Sequence, residues 1–486
     1  MFPLPPDGPL KPPARKHRDA DPGIGLFEDI RMTLQAAIAT NRFGLGARPG
    51  DIAAAQSDPR GWLDAQLAQD PGLPPDLHGV EDSATRLAAT YAARKEKDEE
   101  ARKPLREALR AAYRDDAARR TRAAIATDAP LRERLVHFWS NHFTVSTSRP
   151  IVAAAVVPYE NEAIRPHVTG RFADMLLAVT RHPVMLAYLD NAVSAGPDSM
   201  VGIRRQRGLN ENLGRELLEL HTLGVDGGYS QADVRELARI LTGWSVAAER
   251  DRDTGTFLFR PNLHEPGDKI LLGQRYSEDG MGEGLLALQR LARHPATARH
   301  VATKLARHFI ADDPPPAVVA ALEKSYRDSD GHLGEVTRTL LRQDAAWVPE
   351  ARKVKTPTEL VVSTGRALGG DIHPVADDGD TDMKAARAEP ALRSLALLGQ
   401  MPFAAPSPAG WPDQAADWVG PEAMVQRVDW ALTVGEKLGD RIDPRQIADQ
   451  VLGPFAGDAT RQAVARAPSA AEGLALLISA PEFQRR

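Results

Sequence analysis

Apolar residues recur at intervals of three and four along most of the chain, the spacing that places them on one face of an α-helix. In the stretch 210–223, for example, Leu213, Leu217 and Leu220 form such a face. The same periodicity predicts helices at 150–165, 170–188, 231–243, 283–292, 295–310, 315–326, 332–343 and 357–369. A further pair, expected between 80 and 125, is interrupted by Pro104. The pattern therefore predicts a mostly α fold, built as a large multi-helix body.

One stretch departs from the helical period. Phe257 and Phe259 alternate with other residues, and Ile270 and Leu272 alternate again after a Pro/Gly turn, which predicts one small β-hairpin insertion near 255–276. Residues 1–25 are rich in proline and charge, so we expect a flexible tail there. The predicted organisation is this tail, a main helical domain at 26–345 that contains the hairpin, and a C-terminal helical region at 346–486 packed on the main domain.

Composition excludes several classes of function. The 486 residues carry a net charge of −5 with no long run of one sign, which disfavours nucleic acid as a partner because phosphate binding needs a concentrated basic face. The absence of cysteine excludes disulfides, thiolate metal sites and cysteine nucleophiles. No apolar stretch has the length of a membrane span or of a signal-peptide core. From the sequence as given, we expect a cytoplasmic protein without a membrane span.

Polar residues are most closely spaced in the stretch "NENLGRELLELHTLGVDGGYS" at 210–230. Asn212, Glu216 and Glu219 stand at i, i+4 and i+7, so their side chains share one stripe. If that stripe is buried, repulsion between the two carboxylates raises one pKa and supplies an acid/base pair or a metal-binding edge. The alternative is a solvated stripe in which Arg215 pairs with Glu219. Ser230 and Asp233 predict a capping-box start for the next helix.

The histidines offer further candidates. His142 continues an apolar stripe and points inward, where it is either a packed core histidine or a catalytic base at a cavity, whereas His137 belongs to another face of the helix. His264 lies in the predicted hairpin turn, and loops carry function more often than cores. His300 shares a polar stripe with Lys304 and Arg307. Zincin, di-iron, nucleotide-binding and nucleophile-elbow motifs are absent from the sequence, so the cofactor stays unknown.

A divalent metal is compatible with one arrangement only. The hairpin would have to fold over the 210–221 helix and bring together Glu216, Glu219, His221 and His264. Two other segments suggest ligand contacts. Arg205, in "RRQR" at 204–207, could attract an anionic substrate, and Trp411 and Trp418 could stack on a sugar ring or anchor the Pro-rich loop beside them.

Several longer motifs carry a resemblance. They are "NRFGLG", "FWSNHFTVS", "HPVMLAYLDN", the 210–244 stretch, "HEPGDKILLG", "ARHPATARHVATKLARHFIADDPP", "KTPTELVVSTGRALG" and "PSPAGWPD", in this order. The chain from about residue 33 to its end resembles the bacterial family named domain of unknown function 1800. The resemblance implies no established activity. It implies an exported, periplasmic location for many members, and a neighbouring phosphatase- or sulfatase-like protein as a partner. The polar residues inside these signatures suggest a shared pocket or polar core: His142, Asp190, Asn191, Asn212, Glu216, Glu219, His221, Trp244 and His264.

Two functions from different classes follow. The first is an acid/base hydrolase of envelope or polysaccharide metabolism, in which Glu216 and Glu219 act as carboxylates and His142 or His264 as the base. The alternative is a non-catalytic helical scaffold that binds the neighbouring phosphatase- or sulfatase-like protein. An enzyme requires the 210–221 helix, the 132–143 helix and the hairpin to converge on one pocket. A scaffold buries the same residues as matched pairs.

Overall fold

Helices occupy most of the residues that the structure describes, as the periodicity predicts. The computed structural model describes residues 31–206, 208–370 and 390–486, so the predicted tail at 1–25 lies outside the described residues. The α-helices up to the β-region are α1 (31–38), α2 (Asp51–Ala55), α3 (Pro59–Ala68), α4 (Ser83–Lys95), α5 (Glu99–Ala126), α6 (Pro130–His142), α7 (Val156–Tyr159), α8 (Phe172–Arg181), α9 (Pro183–Tyr188), α10 (Met200–Arg205), α11 (Asn212–Glu216) and α12 (Gln231–Ile240).

The second half of the chain continues in the same way, and the mostly α fold class is confirmed. The remaining α-helices are α13 (Met281–Ala292), α14 (Pro295–Phe309), α15 (Pro316–Asp328), α16 (Leu333–Arg342), α17 (Pro357–Ala367), α18 (Pro390–Leu397), α19 (Pro421–Leu438), α20 (Pro444–Val451), α21 (Asp458–Ala465), α22 (Ala470–Ser479) and α23 (Pro481–Gln484). Three π-helical turns lie at Ala39–Phe43, Glu160–Ile164 and Leu217–His221.

Helix boundaries follow the local chemistry of their first residues. The predicted capping box at α12 is confirmed, because Ser230 Oγ accepts from the Asp233 amide and the Asp233 carboxylate accepts from the Ser230 amide. The predicted break at Pro104 is wrong. The break falls instead at 96–98, where Asp98 caps α5, and Pro104 lies inside that helix. A proline so close to an exposed helix start removes one hydrogen bond from a carbonyl that water can satisfy.

The β-region is small, as expected, but its pairing differs from the predicted hairpin. Among the described residues, strand β1 (Trp244–Val246) pairs antiparallel with β2 (Phe257–Phe259), and β3 (Lys269–Leu271) pairs antiparallel with β4 (Gln274–Tyr276). The alternation through Leu272 does not continue the strand. Leu272 and Gly273 have φ of 49° and 72°, so these two residues form the tight turn between β3 and β4 instead.

Two apolar clusters form the core. The larger one joins α6, α8, α9 and α12 to α16, and includes Trp139, Phe143, Phe172 and Trp244. The second joins α1, α2 and the end of α5 to the C-terminal helices, with Trp430 at its centre. In the part of the chain that the structure describes, no helix is both long and apolar enough to cross a bilayer. The two clusters share Trp62, Tyr113 and Phe455, which pack against both of them.

Candidate functional site

A cavity of about 350 Å³ lies between α6, α14, the start of α17 and the loop 400–417. We call it the α6–α14 cavity. Its volume is in the range of small-molecule sites. The side chains that carry its chemistry are Arg120, Arg134, His137, Ser140, His142, Lys304, Arg307, His308, Glu359, Trp411 and Asp413.

Helical spacing explains why α14 presents three polar side chains to the cavity. Lys304, Arg307 and His308 stand at i, i+3 and i+4, so they share one face, while Val301, Leu305 and Phe309 fill the core on the other. On α6 the cavity covers a wide arc. Both His137 and His142 line it, although the sequence assigns them to different faces of the helix.

The loop 400–417 forms the outer wall and is tied to α6 by backbone contacts. The Asn141 side chain donates to the Trp411 carbonyl at 2.9 Å and accepts from the Trp411 amide at 2.8 Å. Gly410 has φ of 83°, and a Cβ at this position would lie 2.5 Å from the Asn141 carbonyl oxygen, so only glycine permits this approach. These contacts place the Trp411 indole at the cavity, beside Trp418 at 6.1 Å between ring centroids.

Paired charges form one wall of the cavity. Glu359 forms ion pairs with Arg134 and, at 2.7 Å, with Arg486. His308 Nδ1 donates to Asp413 at 2.9 Å. Burial opposes ionisation of Asp413, but His308, Lys353 and Arg486 hold its pKa far below the ordinary aspartate value. Each of these groups already has a partner of opposite charge or a hydrogen bond, so this wall is a matched structural network.

Lys304 is different. Within residues 31–206, 208–370 and 390–486, its ammonium group forms no hydrogen bond and no ion pair, although the side chain is largely buried and lines the cavity. Burial lowers the pKa of Lys304 to about 8, Asp413 opposes that shift, and Arg307 adds to it. An amine that titrates near neutrality beside an open volume is able to accept and return a proton.

His142 offers a second unpartnered nitrogen. Its Nε2 lies 3.1 Å from the His221 carbonyl oxygen, so Nε2 carries the proton and the neutral ring keeps a lone pair on Nδ1. No described residue bonds Nδ1. Burial and the nearby Lys304 hold the pKa of His142 well below the ordinary histidine value. The ring is therefore neutral, and its buried Nδ1 has an unused lone pair.

Neighbouring histidines are also held neutral, mainly by burial. The pKa is lowered to about 3 for His137 and His221 and to about 4 for His300 and His308. His221 is fully buried, and neither ring nitrogen has a hydrogen-bond partner among the described residues. Its ring centroid lies 6.0 Å from that of His142.

These histidines predict an acid-sensitive fold. Their folded-state pKa values lie below the unfolded value of about 6.5, so the unfolded chain binds more protons as the pH falls through that value. Stability is thus expected to decrease from about pH 6.5 toward pH 4, before the paired carboxylates protonate. Thermal unfolding from pH 7.5 to 4.5 measures this. His221→Phe is expected to flatten the slope, and a melting temperature that stays constant down to pH 5 would contradict the account.

A second buried network lies behind the cavity. Arg165 forms a bidentate pair with Glu133, with one contact of 2.9 Å, and Arg120 Nε donates to both oxygens of Glu160 at 2.8 and 2.9 Å. Arg165 also lies 3.7 Å from Glu160. All four side chains are buried, and their charges cancel. The network connects α6, α5 and the π-turn Glu160–Ile164. Each of its four charged side chains has a partner of opposite charge.

The predicted carboxylate pair lies outside this cavity. Glu216 and Glu219 are half-buried at the junction of α11 and the π-turn Leu217–His221. Burial and the neighbouring Glu219 raise the pKa of Glu216. Glu219 accepts a hydrogen bond from Tyr229 at 3.3 Å, and Arg215 pairs with Glu211 at 3.1 Å rather than with Glu219.

His264 belongs to a third location. Its Nδ1 donates to the Thr242 carbonyl at 2.8 Å, and Nε2 lies 3.1 Å from Glu283. Glu283 also pairs with the fully buried Lys269 at 2.9 Å. The predicted convergence of the hairpin, the 210–221 helix and α6 on one pocket therefore does not occur, because His264 is enclosed with its own charge partners.

The structure separates the residues of the metal hypothesis. Glu216, Glu219, His221 and His264 do not come together, and no three His, Asp or Glu side chains of the described ranges are placed to hold a metal ion. The predicted binding residues are also dispersed. Asn212 is exposed, Asp190 pairs with Arg149 in an exposed turn, and Arg205 lines a different cavity beside α10. Of the predicted site residues, only His142 and Trp411 meet in the α6–α14 cavity.

A family model described as "Protein of unknown function (DUF1800)" matches residues 38–485, almost the whole chain. The chain belongs to the DUF1800 family. No curated protein and no solved structure matches it. Activity in this DUF1800 protein must therefore be argued from its own side chains.

Sequence reasoning missed the central residue of the site. The stripe of His300, Lys304 and Arg307 is visible at i, i+4 and i+7. A lysine on such a stripe is normally solvated, and only the loop 400–417 folding over α14 encloses it. Asp413, in the Pro-rich stretch of this DUF1800 protein, was missed for the same reason.

Proposed function

We propose that this protein is an acid/base enzyme, and that the α6–α14 cavity is its active site. The observation that carries the proposal is Lys304, whose amine has no hydrogen bond or ion pair among the described residues and lines a cavity in which most other ionisable groups are paired or held neutral. Its neutral form is available as a general base close to pH 8, and its protonated form returns the proton as a general acid.

The reaction class that these groups serve is hydrolysis of a small polar substrate. Lys304 takes a proton from the water that attacks the substrate, and the neutral His142 ring forms part of the cavity wall. The Trp411 indole provides a flat face for a sugar ring. These features support a saccharide ester or related saccharide derivative as the substrate, in keeping with a role in envelope or polysaccharide metabolism.

The pH dependence of the rate tests this proposal. Nitrophenyl esters and nitrophenyl glycosides form a practical substrate panel, because release of nitrophenolate reports hydrolysis directly. Since the neutral amine is the active form, kcat/KM is expected to rise with pH and to level off above about pH 8. A rate that is independent of pH between 6.5 and 9.5 would count against Lys304 as the base.

The scaffold alternative is supported by a specific observation. His264, Lys269 and Glu283 are buried as matched partners, which is the pattern expected of structural charges. A scaffold for a phosphatase- or sulfatase-like protein turns over no substrate of the panel. Its signature is a melting temperature that rises with the partner and not with any small molecule.

A further inference from the structure

A second cavity, of about 720 Å³, shares no lining residue with the α6–α14 cavity. The end of α4, the helix α10, strand β1 and the segment 248–263 surround it. We call it the α10 cavity. It is open to solvent on one side, and its volume suits a ligand of drug size.

The walls of the α10 cavity are basic. They carry five basic side chains and one acidic side chain: Arg94, Lys95, Arg205, Arg250, Arg260 and Glu249. Such a concentration does not reflect the composition, because the whole chain has a net charge of −5. A local positive potential attracts anions even when the protein is acidic overall.

Two of the bases already have partners, and three do not. Lys95 pairs with Glu249, and Arg260 pairs with Asp251. Arg94, Arg205 and Arg250 form no hydrogen bond and no ion pair anywhere in the described part of the chain. A guanidinium group presents paired donors that match phosphate and carboxylate oxygens. The unpaired arginines therefore provide the polar half of a binding site.

Apolar side chains provide the other half. Ile151, Val201, Val246 and Leu263 line the cavity. Val193, another lining residue, is 58% exposed. Exposed aliphatic side chains beside a cavity favour a ligand that covers them with its own apolar surface. An inorganic anion would leave this surface in water.

We propose that the α10 cavity binds a small anionic amphiphile, in which a phosphate or carboxylate group contacts Arg94, Arg205 and Arg250 and an aliphatic chain covers Val193 and the apolar wall. The same head group occurs on free alkyl phosphates and on anionic lipids in a membrane. The arginines and the apolar residues line one cavity of ligand size, so we commit to the single molecule and make the lipid surface an outcome of the test. This site is independent of the proposed enzymatic function.

The test is titration calorimetry of the full chain with octyl phosphate below its micelle concentration. Inorganic phosphate and octyl glucoside test the head group and the chain separately. We expect octyl phosphate to bind at least tenfold more tightly than either. α10 supplies a matched pair of variants, because Arg204 and Arg205 are adjacent and exposed but only Arg205 lines the cavity.

Arg205→Gln is expected to weaken octyl phosphate binding about tenfold, since a charge-assisted contact is lost, while Arg204→Gln leaves it unchanged. Both side chains are exposed, so unchanged melting temperatures will show that the variants fold. Equal effects of the two variants would overturn the proposal. So would equal binding of inorganic phosphate or octyl glucoside, absence of binding, or binding to phosphatidylglycerol vesicles without binding to monomeric octyl phosphate.

Discussion

Arg165→Leu is expected to lower the free energy of unfolding by about 3–5 kcal/mol, because it leaves the buried Glu133 carboxylate without its bidentate partner. The melting temperature should fall by roughly 3–5 °C. Burial works against ionisation of Glu133, and Arg165 is the main group that nevertheless lowers the pKa of this carboxyl to about 2. Chemical denaturation at pH 7 measures the loss.

Two further variants separate this effect from a simple packing defect. Arg215→Leu removes an arginine of an exposed helical pair with Glu211 and is expected to cost below about 1 kcal/mol. The double variant Arg165→Leu/Glu133→Leu removes both charges and should recover much of the lost stability. If Arg165→Leu costs no more than Arg215→Leu, the buried network does not hold α6 in place.

Lys304→Met is expected to reduce kcat/KM for any substrate of the cavity by about 10²–10⁴-fold, the usual contribution of a positioned general base. Stability should not fall. Because the folded state lowers the pKa of Lys304, the folded chain binds fewer protons than the unfolded chain between about pH 8 and the ordinary lysine value. The ammonium group therefore opposes folding at neutral pH, and methionine keeps the aliphatic length without that charge.

A matched control for this variant lies on α15. Lys324 is exposed, pairs only with Asp328 among the described residues, and is absent from the cavity. Lys324→Met should leave both kcat/KM and the melting temperature unchanged. A Lys304→Met protein that keeps full activity would remove Lys304 from the mechanism, and one that melts several degrees lower would assign Lys304 a structural role.

The helical body was predictable because its longer helices, such as α13 and α14, show an apolar periodicity over about three or more turns. The capping box at Ser230 and Asp233 depends only on residues that are close in sequence, and the structure confirms it. The strand pairing was not predictable, because three-residue strands carry almost no periodicity. The alternation therefore predicts the wrong partner for Phe257–Phe259, which pairs with β1 in the structure. Leu272 continues the alternation in the sequence but belongs to the turn with Gly273.

The site was harder to predict than the fold. His142 was identified because its inward position follows from helix geometry alone, and Trp411 because it stands in a Pro-rich loop. Glu216 and Glu219 were predicted as site residues because polar side chains are closely spaced around them in the sequence. That spacing does not show whether another element covers these side chains. Lys304 lines a cavity only because the loop 400–417 packs over α14. This contact is between residues distant in sequence, so no local pattern predicts it.

Competitive labelling of the Lys304 amine as a function of pH tests the central claim most directly, because it requires no knowledge of the substrate. A trace amine reagent modifies neutral amines, and mass spectrometry of the digested protein reports the fraction labelled at each lysine. The account predicts a midpoint near pH 8 for Lys304, against about 10.4 for an ordinary exposed lysine. A Lys304 midpoint at that ordinary lysine value would contradict the account.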